Sequence, residues 1–220
     1  MTTTWIKPLG RTTGVLLFEL LVLQGLRFLL KELGFLFLAR TLLNDRLLSS
    51  LAMLLLTAAV IWFCRRQGVA LNYWPNLQTK HKKILYGLAV LISAALLVSS
   101  LVINAPIQWT EILFTLHGIV LTPLYEEIVF RGRVWTRLQS TGAHTGGVYA
   151  ISTLLFALWH VGYADSLWLN TSDHRRFWFT LLMKAMIGLI YGCIVGLVRW
   201  KAGNTFAATL MHAVMNIFGR

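Results

Sequence analysis

The sequence predicts an all-α, polytopic transmembrane helix bundle of about seven spans, within a range of six to eight. Three observations predict it. Hydrophobic residues make up 57% of the 220 residues and charged residues only 13%, where a soluble domain carries roughly 25% charged residues. The apolar residues come in long runs, and about 20 residues of helix cross a bilayer. The basic residues sit between those runs, as in membrane proteins with Lys- and Arg-rich loops on one side.

The first expected helix, Val15 to Leu38, is interrupted by Glu19, Arg27, Lys31 and Glu32. Arg27 and Lys31 are four apart and share a face. The helix therefore either spans with that face turned inward or lies in the interface as an amphipathic anchor. Leu47–Cys64 and Ile84–Ile103 are clean spans, separated by a loop marked by Asn72, Pro75 and Asn76. Pro106 breaks the chain before a fourth helix running from Trp109 to Gln139. Gly146–Val161, Phe177–Val198 and Asn204–Phe218 complete the set, with a polar loop at 161–176. No internal repeat or low-complexity tract is visible.

The net charge of +12 would point to nucleic acid in a soluble protein. Here the basic residues form no single patch, so the expected partners are the bilayer and anionic head groups, with no nucleic acid. One side of the bundle would hold Lys7, Arg11, Arg65, Arg66, Lys80, Lys82, Lys83, Arg131, Arg133, Arg137, Arg199 and Lys201, and the other Arg40, Arg46, Arg175, Arg176 and Arg220. Twelve against five makes the first side, with the N-terminus, cytoplasmic. Cys64 and Cys193 lie inside apolar runs and give neither a disulfide framework nor a metal-finger spacing. No short apolar stretch ends in a small-residue cleavage site, so no removable signal peptide is expected. A bacterial inner membrane is the expected location, and the sequence sets no oligomeric state.

Polar residues interrupt the later spans in three places. Glu126 and Glu127 precede Arg131, Phe156 precedes His160 by four residues, and His212 precedes Asn216 by four. Such residues are costly in a bilayer and mark a functional site when they face the bundle interior. Glu127 and Arg131 read as an intrahelical ion pair, which leaves Glu126, about 100° round the helix, to point elsewhere. If the fourth and fifth helices form a hairpin turning at 140–145, Glu126 and His160 both lie roughly 20 Å from it, so they can meet. His212 lies about 12 Å from the start of its helix, within what tilt tolerates. The site would then tilt toward the non-cytoplasmic face, bordered by the 161–176 loop with Tyr163, Trp168 and Trp178. Phe156 reads as packing. His81, His117, His144 and His174 read as interfacial or loop residues. Asp165 and Asp173 read as solvated. Trp62, Trp109, Trp178 and Trp200 read as interface anchors.

Glu126-Glu127-x-x-x-Arg131, Phe156-x-x-x-His160 and His212-x-x-x-Asn216, in that order and each on its own apolar helix, resemble the CPBP family. These are glutamate-dependent intramembrane proteases that include the type II CAAX prenyl protease and many bacterial Abi proteins. The resemblance covers residues 109–220, a catalytic core. Residues 1–108 match only as membrane helices and are the candidates for substrate choice, the whole forming one membrane domain. By the resemblance, Glu126 is the base that activates water, His160 positions that water, and His212 and Asn216 line the oxyanion site, with Glu127, Arg131 and Phe156 in support. The implied activity is an intramembrane endopeptidase acting near the C-terminus of a membrane-associated or exported protein, without cofactor. Zinc held by the two Glu and two His is the alternative chemistry, disfavoured because Glu127 is taken by Arg131 and no HExxH pairing is present. A non-proteolytic scaffold or immunity-type protein retaining the fold is the alternative function. A transporter using the same charges would show inverted repeats.

Overall fold

The computed structural model describes residues 6–102, 108–171 and 174–219. Ile103, Pro106, Asp173, Arg220 and the side chains of Lys7 and His174 lie outside the described residues. Regular structure within them is entirely helical. The helices are α1 (Ile6–Phe35), α2 (Leu42–Arg66), α3 (Lys80–Val102), α4 (Trp109–Gln139), α5 (Thr145–Leu169), α6 (Phe177–Ala202) and α7 (Thr205–Phe218).

Six of them are long and apolar enough to cross a bilayer. The seventh, α7, has 14 residues and extends about 21 Å, short of a hydrocarbon core of about 30 Å. Polarity is distributed for lipid. Phe18, Leu21, Leu91, Trp178 and Phe179 face outward, while Arg27, Lys31, Asp45, Glu126, Glu127 and Arg131 are buried. The protein is an integral membrane protein, and apolar side chains outside with ionisable ones inside is the arrangement hydrocarbon demands. Trp62, Trp109, Trp178 and Trp200 are exposed near helix ends, as interface anchors are.

Local chemistry sets the helix ends. α2 begins five residues before the apolar run because Thr41 accepts the Asn44 N–H and Asp45 sits in the first turn. Gly203, at φ +73°, ends α6 in the left-handed conformation that favours glycine. Asn204 then caps α7 by accepting the Ala207 N–H. The loop after α2 supplies the rest of that cap: Asn72 O accepts Thr205 N at 2.9 Å and Tyr73 O accepts Phe206 N at 2.9 Å. The loop thereby holds the helix that carries His212.

α1 turns its charged face inward. Arg27 donates to Asp165 Oδ1 at 2.6 Å and to Gly162 O at 2.7 Å. Lys31 reaches Asp165 Oδ2 at 2.7 Å and also pairs with Asp45. Asp165 is therefore not solvated, as its polar surroundings in sequence predict; it joins α1, α2 and the end of α5 in a buried network. The 161–176 segment is also not a simple loop. Residues His160–Tyr163 form a 3₁₀ turn and Ala164–Asn170 continue as helix. The charge asymmetry needs the same correction: Arg131, Arg133 and Arg199 are buried and bonded inside the protein. The bias toward the N-terminal side survives without them.

α5 and α6 pack most closely of all, and glycine makes that possible. Gly188, Gly192 and Gly196 form a stripe on α6 at four-residue spacing, a small-residue interface of the kind membrane helices use. A Cβ on Gly192 would lie 3.1 Å from Thr153 Cγ2 and 3.3 Å from Phe156 Cδ1. We expect Gly192→Leu to destabilise the protein by about 1–3 kcal/mol through overpacking, read as a lower midpoint of thermal unfolding in detergent. Gly147→Ala, where nothing lies within 4 Å, is the control. Equal midpoints for both variants would mean that the α5–α6 contact is looser than described.

Candidate functional site

The three polar motifs converge. α4 carries Glu126 and Glu127 between two π-helical segments, His117–Leu121 and Ile128–Val134, and π turns inside α-helices recur at functional sites. Arg131, in the second segment, reaches Glu127 as expected: Nε lies 3.2 Å from Oε2 and Nη1 3.2 Å from Oε1. Arg131 also donates to Gly192 O at 3.1 Å and lies 4.3 Å from the centroid of the Phe156 ring. Phe156 packs as expected, edge-on to His160 at 4.7 Å and to His212 at 5.9 Å. The absence of a side chain at Gly192 lets these groups meet.

His212 stands between the two glutamates. Its Nδ1 is 2.8 Å from Glu127 Oε1 and its Nε2 is 3.8 Å from Glu126 Oε2. A carboxylate accepts, so Nδ1 carries a proton. His160 is oriented in the same manner. Its Nδ1 donates to Phe156 O at 2.8 Å, and Gly188 leaves space for the ring, since a Cβ there would fall 2.6 Å from Nδ1. In both rings Nε2 is the nitrogen left over. Asn216 donates one Nδ2 hydrogen to Gly118 O at 2.7 Å. That carbonyl needs a donor. The Thr122 N–H that an α-helix would supply goes to His117 O in the π segment, and the next residue, Pro123, has no N–H.

Glu126, His160, His212 and Asn216 all line one cavity of about 300 Å³. It extends toward Arg46 near the start of α2 and Gly219 after α7, the end of the bundle that holds the α1–α2 and α5–α6 connections. Glu126 is buried, with Oε1 accepting from Tyr163 Oη at 2.7 Å and Oε2 without a hydrogen-bond partner.

Sequence reasoning missed two side chains. Tyr163, expected at the rim of an entrance, is buried against Glu126 and receives the Trp159 Nε1–H at 3.1 Å. His117, expected at an interface, is buried, lies 2.8 Å from Ser50 Oγ and borders the cavity. The spacing of Tyr163, three residues after His160, could have flagged it; nothing local could have flagged His117. His144 is the N-cap of α5.

The two Glu and two His are the donors a zinc ion would use. Arg131 and His212 already hold Glu127, and among the described residues no three His, Cys, Asp or Glu side chains converge on an ion position.

Among known proteins, the chain matches the family described as type II CAAX prenyl endopeptidase Rce1-like over residues 107–218. The match takes in all three motifs and about half of the chain. No curated protein and no solved structure matches it.

Glu127 and Arg131 are both fully enclosed, and removing one partner of a buried ion pair typically costs about 3–5 kcal/mol. We expect Arg131→Ala to lower the amount of folded protein in the membrane at least as much as any activity, measured by quantitative blotting and size-exclusion profile. An abundant, monodisperse and inactive variant would instead give Arg131 a part in the chemistry.

Proposed function

The chain belongs to the Rce1-like family of type II CAAX prenyl endopeptidases, and we propose that it is an intramembrane endopeptidase that hydrolyses a peptide bond near the C-terminus of a membrane-associated protein, using water activated by Glu126. The observation that carries this reading is the buried Glu126 carboxylate. One oxygen is held by Tyr163, and the other is unpaired and 3.8 Å from His212 Nε2.

A water at ordinary hydrogen-bond distance, about 2.8 Å, from both Glu126 Oε2 and His212 Nε2 fits that gap. His160, with Nδ1 committed to Phe156 O, offers Nε2 as an acceptor that orients the water. Glu126 takes one proton as the water oxygen bonds to the scissile carbonyl carbon. Collapse of the tetrahedral intermediate breaks the C–N bond, and the same proton passes to the leaving amine nitrogen. Two donors suit the developing oxyanion: the second Nδ2 hydrogen of Asn216, and His212 Nε2 when that ring is doubly protonated. Donors fixed in a water-poor cavity act without reorganisation.

The remaining features form part of the same proposal. Residues 109–220 supply the catalytic core. Residues 1–108 border the substrate path and contribute to its selection. The N-terminus is cytoplasmic, in a bacterial inner membrane. No metal takes part.

We expect Glu126→Gln to abolish cleavage of a membrane-anchored reporter peptide while the protein stays folded. His160→Ala, His212→Ala and Asn216→Ala should each lose on the order of 10²–10³ in kcat. Full turnover by Glu126→Gln would sink this mechanism, and absence of cleavage by the wild type would leave the non-proteolytic scaffold standing. Cleavage should also be unchanged by EDTA or phenanthroline; inactivation that zinc restores would assign the chemistry to a metal.

A further inference from the structure

Two arginines on the outside of the bundle take no part in the site above. Arg11, near the start of α1, and Arg137, near the end of α4, border one surface cavity of about 580 Å³ together with Thr12 and Val15. Among the described residues, Arg27, Arg40, Arg131 and Arg133 have a carboxylate at ion-pair distance, and Arg11 and Arg137 do not. The first acid of α1, Glu19, is committed elsewhere: Arg133 donates to both its oxygens, at 3.0 and 2.8 Å. Two like charges left facing one cavity, with a hydroxyl beside them, suit an anion. A guanidinium pairs with phosphate through parallel hydrogen bonds.

An apolar groove of about 390 Å³ follows from this cavity along the same helix faces. Arg11, Val15, Phe18, Val22 and Leu26 succeed one another at spacings of three and four on α1, so they form one stripe. The first two border the charged cavity and the last three the groove. On α4, Arg133 and Arg137 are also four apart, Arg133 in the groove and Arg137 in the cavity. The far wall is α2, with Leu56, Val60 and Phe63. Depth agrees with this alignment. Trp62, exposed near the end of α2, borders the groove and marks the level of the head groups. Phe18 to Leu26 is about 12 Å of helix, most of the roughly 15 Å of hydrocarbon in one leaflet. Arg11 lies about 10 Å to the other side of Phe18, among the head groups.

We infer that the groove binds one anionic phospholipid, with its phosphate between Arg11 and Arg137 and one acyl chain between α1 and α2. Charge complementarity selects the head group. Phosphatidylglycerol brings net negative charge to two cations, whereas the choline of phosphatidylcholine is repelled by them. The lipid joins α1, which lies outside the matched residues 107–218, to the helix that carries Glu126. The inference is independent of the protease reading.

The probes are palmitoyl-oleoyl phosphatidylglycerol and the phosphatidylcholine with the same chains. Each is added to delipidated full-length protein in a neutral detergent, and bound lipid is counted by native mass spectrometry. The wild type should hold one phosphatidylglycerol about tenfold or more tightly than phosphatidylcholine, the order expected for hydrogen bonds to a charged group. Arg11→Gln with Arg137→Gln should bring that ratio toward one, and Arg11→Lys with Arg137→Lys should keep most of it. Arg11 is exposed, so Arg11→Gln alone leaves the fold intact and should lose part of the preference. Lys80→Gln with Lys83→Gln removes the same charge from the same side of the bundle and should leave the ratio unchanged. Ala59→Phe fills the groove that Ala59 lines and should weaken binding of phosphatidylglycerol. Equal affinity for the two lipids, or an equal loss in the lysine pair, would overturn the inference. So would phosphatidylglycerol binding that Ala59→Phe leaves unchanged. Displacement of the lipid by millimolar inorganic phosphate would also overturn it, by assigning the arginines to a free anion.

Discussion

Glu127 is fully enclosed by protein, and an ionised carboxylate there is tolerable only because Arg131 and His212 both reach it. The close geometry of the bundle follows from meeting that requirement. Arg131 must lie on the face of α4 that carries Glu127, which the four-residue spacing provides. His212 must arrive from α7 at the same depth, so the start of α7 is fastened by Asn204 and by carbonyls of the loop after α2. Arg131 has donors to spare, and the Gly192 carbonyl accepts one because no side chain stands between α5 and α6 at that level.

Glu127 and Glu126, adjacent in sequence, consequently have opposite surroundings. Glu127 is held by a guanidinium and an imidazole, both hydrogen-bonded to Oε1, with Oε2 at ion-pair distance from Arg131 Nε. Glu126 keeps one oxygen unpaired on a cavity. The first is suited to holding a framework and the second to accepting a proton. His212 links them, with one ring nitrogen on each side.

The first two helices are tied into this framework as well as standing beside it. The buried network of Arg27, Lys31, Asp45 and Asp165 anchors the stretch of α5 that follows His160 and includes Tyr163. Gly162 admits the Gln24 side chain closely, where a Cβ would meet it at 2.5 Å, and Gln24 in turn donates to Trp159 O. Arg27 also lies 4.8 Å from the centroid of the Tyr163 ring. α1 therefore bears on the position of the tyrosine that holds Glu126. α3, by contrast, has no buried residue among those described; it packs on α7, where the Tyr86 and Phe206 rings meet and Tyr86 Oη accepts from Asn204 Nδ2.

The sequence by itself determined the elements and the pairs that a single helix can bring together. The length and apolarity of the runs predicted seven helices, because hydrocarbon admits little else. The spacing of four put Glu127 with Arg131 and left Glu126 apart, because helical periodicity is a local property. Hairpin arithmetic put Glu126 and His160 at one depth, because rise per residue is nearly constant. The sequence could not tell that Asp165 is an internal counter-ion rather than a solvated residue, since its partners lie 134 and 138 positions away. It could not reveal the π segments, whose shifted hydrogen bonds leave Gly118 O to Asn216. Nor could it show that Tyr163 turns inward while Trp168, on the same stretch, stays exposed. Each of these depends on which helices become neighbours. Only the tertiary structure decides that, because the energy of a buried charge or carbonyl is set by the group opposite it and not by the residues beside it in the chain.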